Sequence, residues 1–402
     1  MYRPRIKNNI CTNAHPVGCF YNVYKQMQTA LSEPLPAGKN QTALVVGASS
    51  GLGLASRLAL TFSAGMDTIG VYSDRAAQAH KYGSAGWYNN QAFEYYARRA
   101  NKMALSTNQD AFQKNAKDWV IQKLQQNDKK IDVLIYSLAA PKRNIKGVAE
   151  YVSAIKPMSD DYRARHLDVC AQQLSDLAMA AASPAEVDAT VKVMGGEDWQ
   201  QWVLRLQEAG VLAENFKTLA YSYMGPAQTH AIYADGTLGR AKDHLHATAT
   251  ALNEGLLSAA GHASVGVLQA QLTPSSAVIP GMPLYLSVLQ QQQKKTGKFE
   301  DSVQQVQRLF AGSVFNQTSK PEQCVRVDDL ECDSAVQRSV KAVLDGLNQE
   351  NLPELLDIES VKQNFLQQFG FAYDFINYKQ KPDPLTPPAI HDFSELSYRK
   401  AG

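Results

Sequence analysis

The segment Val45-Val46-Gly47-Ala48-Ser49-Ser50-Gly51-Leu52-Gly53-Leu54-Ala55 constrains this chain more than any other, because it must leave a strand, turn tightly and enter a helix within a few residues. Its glycines stand where a backbone needs left-handed freedom and where an anion can approach the N–H groups at a helix start. Such a turn suits a pyrophosphate. The spacing is G-x3-G-x-G rather than the usual G-x-G-x-x-G fingerprint. Asp74, in Tyr72-Ser73-Asp74-Arg75, follows the last glycine by about twenty residues, where a carboxylate accepts the ribose 2′-OH of a dinucleotide. Its charge opposes a 2′-phosphate and favours NADH over NADPH, although the adjacent Arg75 is of the type that accommodates such a phosphate.

From residue 42 onward, short β-branched runs alternate with longer helical patterns, the arrangement of parallel strands joined by helical crossovers. Candidate strands are Ala43–Val46, Thr68–Tyr72, Met103–Ser106, Val133–Tyr136, Thr218–Tyr221 and Ser264–Leu268. Six strands with helices between them predict an α/β fold, a Rossmann-type doubly wound parallel sheet over residues 42–285. In such a sheet ligands bind outside the carboxyl ends of the strands. Asp110-Ala111, Ser137-Leu138-Ala139, Tyr223 and Leu272-Thr273-Pro274 each follow a candidate strand and are expected to open on one crevice with the glycine turn.

Residues 145–215 form an insertion between the fourth and fifth strands, longer than an ordinary crossover, and are expected to be helical. Ser183-Pro184-Ala185-Glu186 combines a capping box with proline at the first helical position, and Trp199, Trp202, Val203 and Leu206 fall on one helix face. Residues 286–402 read as a helical extension, with apolar stripes at Val303-Val306-Leu309-Phe310 and Val340-Val343-Leu344-Leu347 before an irregular proline-rich tail at 382–388. No internal repeat or Gly/Ser linker divides the chain, so residues 1–402 are expected to form a single elaborated domain.

Composition closes off other classes. Forty Lys+Arg against thirty-eight Asp+Glu give a net charge of +2, and no dense basic block offers the footprint of a nucleic-acid binder. No segment has the apolar length of a membrane span, and the N-terminus lacks an apolar stretch behind its basic residues, so a soluble cytoplasmic protein is expected. Five scattered cysteines suit reduced thiols. Cys11, His15 and Cys19 form a C-x3-H-x3-C cluster without an evident fourth ligand, and His244 and His246 lie two apart on a helix, so no metal is expected.

Tyr233 and Lys242 form a Y-x8-K pair. Reductases of the broad short-chain class, which the three-residue glycine gap resembles, set a tyrosine hydroxyl against the substrate carbonyl. They use a lysine to bind the nicotinamide ribose and lower the phenol's pKa. Nine residues of continuous helix rotate by about 900° and would put the pair on opposite faces. Asp235-Gly236 signals a turn and Thr237 can cap a helix just after it, so Tyr233 is expected on a loop and Lys242 on an early helical turn.

Several segments in order resemble the FabV-type trans-2-enoyl reductases: Ile10-Cys-Thr-Asn-Ala-His-Pro-Val-Gly-Cys19, Gly47–Ala55, Ala85-Gly-Trp-Tyr-Asn89, Tyr136-Ser-Leu-Ala139, Val193–Trp199, Ala220-Tyr-Ser-Tyr223, Tyr233-x8-Lys242 and Ile279-Pro-Gly-Met-Pro-Leu-Tyr285. The likeness runs from the N-terminus to about Tyr378. It implies NADH-dependent reduction of a trans-2-enoyl thioester on acyl carrier protein or coenzyme A, the last reductive step of fatty-acid elongation. It also implies Tyr233 as proton donor, Lys242 as cofactor-binding lysine and Tyr223 as a second tyrosine against the substrate. Its cofactor segments correspond to Gly47, Ala48, Ser49, Ser50, Gly51 and Leu52, to Ser73 and Asp74, to Asp110 and Ala111, to Leu138 and Ala139, and to Leu272, Thr273 and Pro274. Pro274–Tyr285, apolar and proline-punctuated, is expected to be an irregular acyl-chain wall or lid. The residues alone leave open a carbonyl reductase of the short-chain class and a dinucleotide-binding protein without turnover. A monomer is expected, since the insertion and extension can cover surfaces that smaller relatives bury by association.

Overall fold

The computed structural model describes residues 2–36, 38, 40–145, 147–256, 261–315 and 322–385. A short hairpin, β1 (Ile6–Lys7) with β2 (Ile10–Cys11), leads into helix α1 (Pro16–Ser32), whose proline occupies the first turn, where no N–H is required. The first half of the sheet follows as β3 (Thr42–Val46), α2 (Gly51–Leu58), β4 (Asp67–Tyr72), α3 (Ala85–Arg99), β5 (Ala104–Asn108), α4 (Lys114–Gln126) and β6 (Ile131–Tyr136). Next come two antiparallel hairpins, β7 (Lys142–Ile145) with β8 (Ala149–Val152) and β9 (Tyr162–Asp168) with β10 (Gln173–Met179), and then helices α5 (Pro184–Met194) and α6 (Glu197–Glu208). The second half of the sheet begins with β11 (Leu212–Ser222), α7 (Thr237–Ala251) and β12 (His262–Leu268). Helices α8 (Met282–Thr296) and α9 (Ser302–Gly312), strand β13 (Cys324–Val327) and helices α10 (Ser334–Gly346), α11 (Leu352–Leu355) and α12 (Ile358–Gln367) complete the described chain.

The main sheet has seven strands in the order β13-β12-β11-β6-β3-β4-β5, every neighbouring pair parallel. The chain runs outward from β3 through β4 and β5, then returns to β6 on the other side of β3. That reversal opens a crevice at the carboxyl ends of β3 and β6. Both faces are covered, so β3 and β4 are apolar on both sides rather than alternating. One face packs on α1, α2, α3 and α9 through residues such as Phe20, Leu58, Phe93 and Phe310, and the other on α4, α6 and α7 through Val120, Trp199, Trp202 and Leu245.

Three expectations need correction. The seventh strand β13 lies in what reads as a purely helical extension. The insertion is helical only in its second part, because residues 142–179 form two hairpins. That second part matches its sequence: Ser183 and Glu186 form a reciprocal capping box, and Trp199, Trp202, Val203 and Leu206 are buried. Pro274–Tyr285 is also more regular than expected, containing a 3-10 turn at Ser276–Val278 and the first residues of α8. Val303, Val306, Leu309 and Phe310 line the buried face of α9. Of the proline-rich tail, residues from 386 onward lie outside the described residues.

The two ends of the described chain meet. The Tyr2 N–H donates to the Tyr378 carbonyl at 2.7 Å and the His15 N–H to that of Phe369 at 2.9 Å. Gly18 lies so close to Gly370 that a Cβ on it would stand 2.0 Å from the Gly370 oxygen.

Candidate active site

The glycine turn has the geometry its spacing demands. Gly47 adopts φ +90°, and a Cβ there would lie 2.4 Å from the Ser137 carbonyl oxygen at the end of β6. Gly53 lies against the turn itself, where a Cβ would meet the Gly47 oxygen at 1.9 Å. Gly51 adopts φ +51° and faces open space, its nearest neighbour being the Thr273 methyl at 3.9 Å. Ser50 precedes α2 without capping it through its side chain, which leaves first-turn N–H groups free for an anion.

Asp74 is fixed from several sides. Its backbone exchanges two hydrogen bonds with the Asn108 amide, both 2.8 Å, and its carboxylate accepts the Ser84 hydroxyl at 2.7 Å. Gly86 lets this carboxylate in, since a Cβ there would stand 2.3 Å from it. The neighbouring guanidinium turns elsewhere: Arg75 donates to the carbonyls of Thr12 at 2.7 Å and Tyr82 at 3.3 Å. A cleft of about 520 Å³ joins Ser50, Gly51 and Asp74 to Leu272, Thr273 and Pro274. Of the residues expected to form the site, those six line it. Gly47 and Ala48 lie beneath it in the turn. Asp110-Ala111 and Leu138-Ala139 follow β5 and β6 on the same edge of the sheet but do not line the cleft; nor do Ser49, Leu52 and exposed Ser73. The Asp110 carboxylate instead caps its own turn, accepting from Phe112 N–H and the Gln113 amide.

Farther along the edge, the end of β11 gathers the reactive groups. Lys242, half-buried in the second turn of α7, donates to the Tyr221 carbonyl at 2.8 Å. Tyr233, in the turn before α7, packs edge-on against Tyr223, with ring centroids 4.5 Å apart. The chain break thus sets Lys242 on the backbone of Tyr221 and Tyr233 on the ring of Tyr223, two residues farther along the same strand end. The break is capped differently from expectation: Gly236 precedes the helix, and the Thr237 hydroxyl donates to the Ala154 carbonyl instead of capping. Burial pulls Lys242 down to about 8. Burial, with the Glu331 charge added, pushes the Tyr233 phenol up, so Tyr233 stays protonated at neutral pH and is a donor.

The Tyr233 hydroxyl has no hydrogen-bond partner among the described residues, whereas the Tyr223 hydroxyl donates to Glu331 at 2.6 Å. Sequence reasoning missed Glu331, and it placed its partner Tyr285 only in an expected acyl-chain wall. The signal for Glu331 was the loop after β13: with that strand recognised, its following turn belongs to the same ligand-binding edge.

Residues 81–315 match the family model described as the trans-2-enoyl-CoA reductase catalytic region, and residues 1–79 that of the NAD(P)H binding domain of trans-2-enoyl-CoA reductase. Residues 321–381 match one described as an enoyl reductase FAD binding domain. The chain is 40% identical over 385 residues to the enoyl-acyl-carrier-protein reductase (NADH) of Saccharophagus degradans, covering 95% of this chain and 98% of that one. It is 40% identical over 394 residues to the same-named protein of Burkholderia lata, covering 97% and 98%. Among solved structures, the trans-2-enoyl-CoA reductase of Clostridium acetobutulicum in complex with NADH superposes with a TM-score of 0.90 at 34% identity, covering 96% of this chain and 98% of that one. That of Treponema denticola with NAD gives 0.89 at 36%, covering 95% and 98%.

A dinucleotide fits the residues present: a glycine cradle that Cβ atoms would fill, a free helix start and a fixed carboxylate aimed into the cleft. A flavin on the last matched segment does not. Its glycines, Gly346 and Gly370, stand at or just past the ends of α10 and α12 rather than in a strand-to-helix turn. Its two buried carboxylates are already engaged, Glu331 by two phenols and Asp328 by Arg326.

Proposed function

The chain belongs to the trans-2-enoyl-CoA reductase family, and from that premise we propose that it saturates the double bond of trans-2-enoyl thioesters, on acyl carrier protein or coenzyme A, with NADH as reductant. The observation that carries this reading is that a protonated Tyr233 hydroxyl with no partner among the described residues, and Lys242, both stand at the end of β11, on the sheet edge that holds a cradle suited to a dinucleotide. Bound NADH supplies the hydride to the β-carbon. Tyr233 then donates a hydrogen bond to the thioester oxygen as charge gathers there, which lowers the barrier because the donor is already oriented. The α-carbon then takes a proton supplied by solvent as the enolate's electrons leave the oxygen and the thioester carbonyl re-forms, which completes saturation.

Lys242 binds the nicotinamide ribose and acts through position and charge. Tyr223 contacts the substrate from beside Tyr233. Gly47 to Leu52 hold the pyrophosphate. Asp74, with Ser73 beside it, accepts the ribose hydroxyl; Asp110, Ala111, Leu138, Ala139, Leu272, Thr273 and Pro274 complete the walls. Arg75's commitment to two backbone carbonyls supports NADH over NADPH, since it leaves the 2′ position facing a carboxylate. The protein works as a cytoplasmic monomer built as one elaborated domain, and among its described residues no helix is long and apolar enough to cross a membrane.

Substrate-dependent NADH oxidation tests this. Turnover of crotonyl-CoA with none of simple ketones is expected; the reverse pattern would identify a carbonyl reductase, and NADH binding without any turnover a non-catalytic protein.

A further inference from the structure

Glu331 is a fully buried carboxylate in the turn between β13 and α10. One of its oxygens accepts two phenolic protons, from Tyr223 at 2.6 Å and from Tyr285 of α8 at 2.7 Å. The other accepts the Ala270 N–H at 2.7 Å, two residues before the Leu272-Thr273-Pro274 loop that lines the cleft. Gln337 braces the group, donating to the Tyr285 hydroxyl at 3.2 Å and to the Glu331 carbonyl at 2.6 Å. A tyrosine has a single hydroxyl proton. The other acceptor near Tyr223, the Thr229 hydroxyl, stands at 3.5 Å, and Thr229 spends its own proton on the Pro226 carbonyl. The proton of Tyr223 is therefore committed to Glu331, while that of Tyr233 is free.

We propose that Glu331 is a positioning residue of the reduction: its carboxylate holds the Tyr223 proton, leaving Tyr233 as the phenol that donates to the thioester oxygen, and ties this arrangement to the cofactor loop. This rests on the enoyl-reductase reading and assigns Tyr223 to orienting the substrate rather than sharing the oxyanion. The arrangement needs the ionised carboxylate, because a protonated Glu331 brings a donor of its own and forces one phenol to turn round. The groups that face it are Tyr223, Tyr233 and Tyr285, with Asp328 and Cys332 from its own turn and Arg326 paired to Asp328 at 2.8 Å. Burial, with Asp328 adding, lifts Glu331 to about 7, against the pull of its three hydrogen-bond donors. Activity accordingly falls as pH drops through about 7.

The test is the pH profile of kcat/KM for crotonyl-CoA and NADH in the wild type, Glu331→Gln and Tyr285→Phe. An amide cannot accept from both phenols and from Ala270 at once. Glu331→Gln should therefore lose about tenfold or more in kcat, keep KM for NADH within about threefold, and lose the acid limb. Tyr285→Phe removes a donor that stabilises the carboxylate, so its acid limb should move to higher pH. A folded Glu331→Gln protein that retains the wild-type acid limb overturns the proposal. Should that variant fail to fold, an unmoved limb in Tyr285→Phe overturns it equally. Absence of turnover in the wild type would instead refute the enoyl-reductase reading itself, and the proposal with it.

Discussion

Tyr233→Phe separates chemistry from architecture more cleanly than any other change in this chain. The Tyr233 hydroxyl has no partner among the described residues, so deleting it breaks no internal hydrogen bond, and the ring keeps its edge-on contact with Tyr223 at 4.5 Å. The unfolding free energy should therefore change by less than about 0.5 kcal/mol. NADH binding should also persist, since the cradle, Asp74 and Lys242 are untouched. Removing one oriented donor from a developing oxyanion costs about 10²–10³ in kcat, or ~2.7–4 kcal/mol. Three assays are needed: thermal melting, NADH titration by fluorescence, and crotonyl-CoA-dependent NADH oxidation. A variant that melts and binds NADH like the wild type, yet turns over within about tenfold of it, would refute the assignment of Tyr233 as donor. A large drop in melting temperature would show that the hydroxyl has a structural partner after all.

Gly47→Ala forces a methyl group to 2.4 Å from the Ser137 oxygen at φ +90°, and a loss of about 1–3 kcal/mol in denaturant titration together with weakened NADH binding is expected. Asp74→Ser removes the charge that opposes a 2′-phosphate while Arg75 stays on Thr12 and Tyr82; the ratio of kcat/KM for NADPH to that for NADH should rise about tenfold or more, and an unchanged ratio would take Asp74 out of cofactor selection. Lys242, held near 8 by burial, binds its proton less tightly folded than unfolded, where its pKa is about 10.4. The cost of burying the charged form is present below about pH 8 and is relieved as pH rises toward 10.4, so wild-type melting should improve across that window relative to Lys242→Met. A constant difference between the two proteins would mean that Lys242 titrates normally.

Six of the seven strands were readable, five through largely apolar buried runs and the edge strand β5, Ala-Leu-Ser-Thr-Asn, through its place between two helical patterns. The seventh was not: Cys324–Val327 is four residues with an exposed arginine, too short to carry a period. The hairpin β9–β10 escaped for a different reason. Its turn places Gln172 at φ +59°, a position normally signalled by glycine or asparagine, and its strands bury Leu167 alone among partly buried and exposed residues, with no apolar alternation. The Tyr233 and Lys242 placement was legible because Asp235-Gly236 interrupts a helix whose continuation would have separated them. The Glu331 cluster was not, since its members come from positions 223, 270, 285 and 331 and meet only when β11, β12, α8 and the β13 turn are assembled.

The contacts between the first residues and those near 370 give the molecule an order of assembly. Cys11 and Asn13 border the cleft, and the stretch that carries them is anchored on either side, through Tyr2 to Tyr378 and through His15 to Phe369. During synthesis this stretch can meet Arg75 and Leu167 early, through Thr12 and Asn9, but its bonds to Phe369 and Tyr378 wait until more than three hundred further residues have left the ribosome. That rim of the cleft is thus a late event on the folding path, with the entropy of a very long loop to overcome. A polypeptide ending before Phe369 would lack the partners of His15 and Tyr2 and, with Phe369, part of the cleft's own rim.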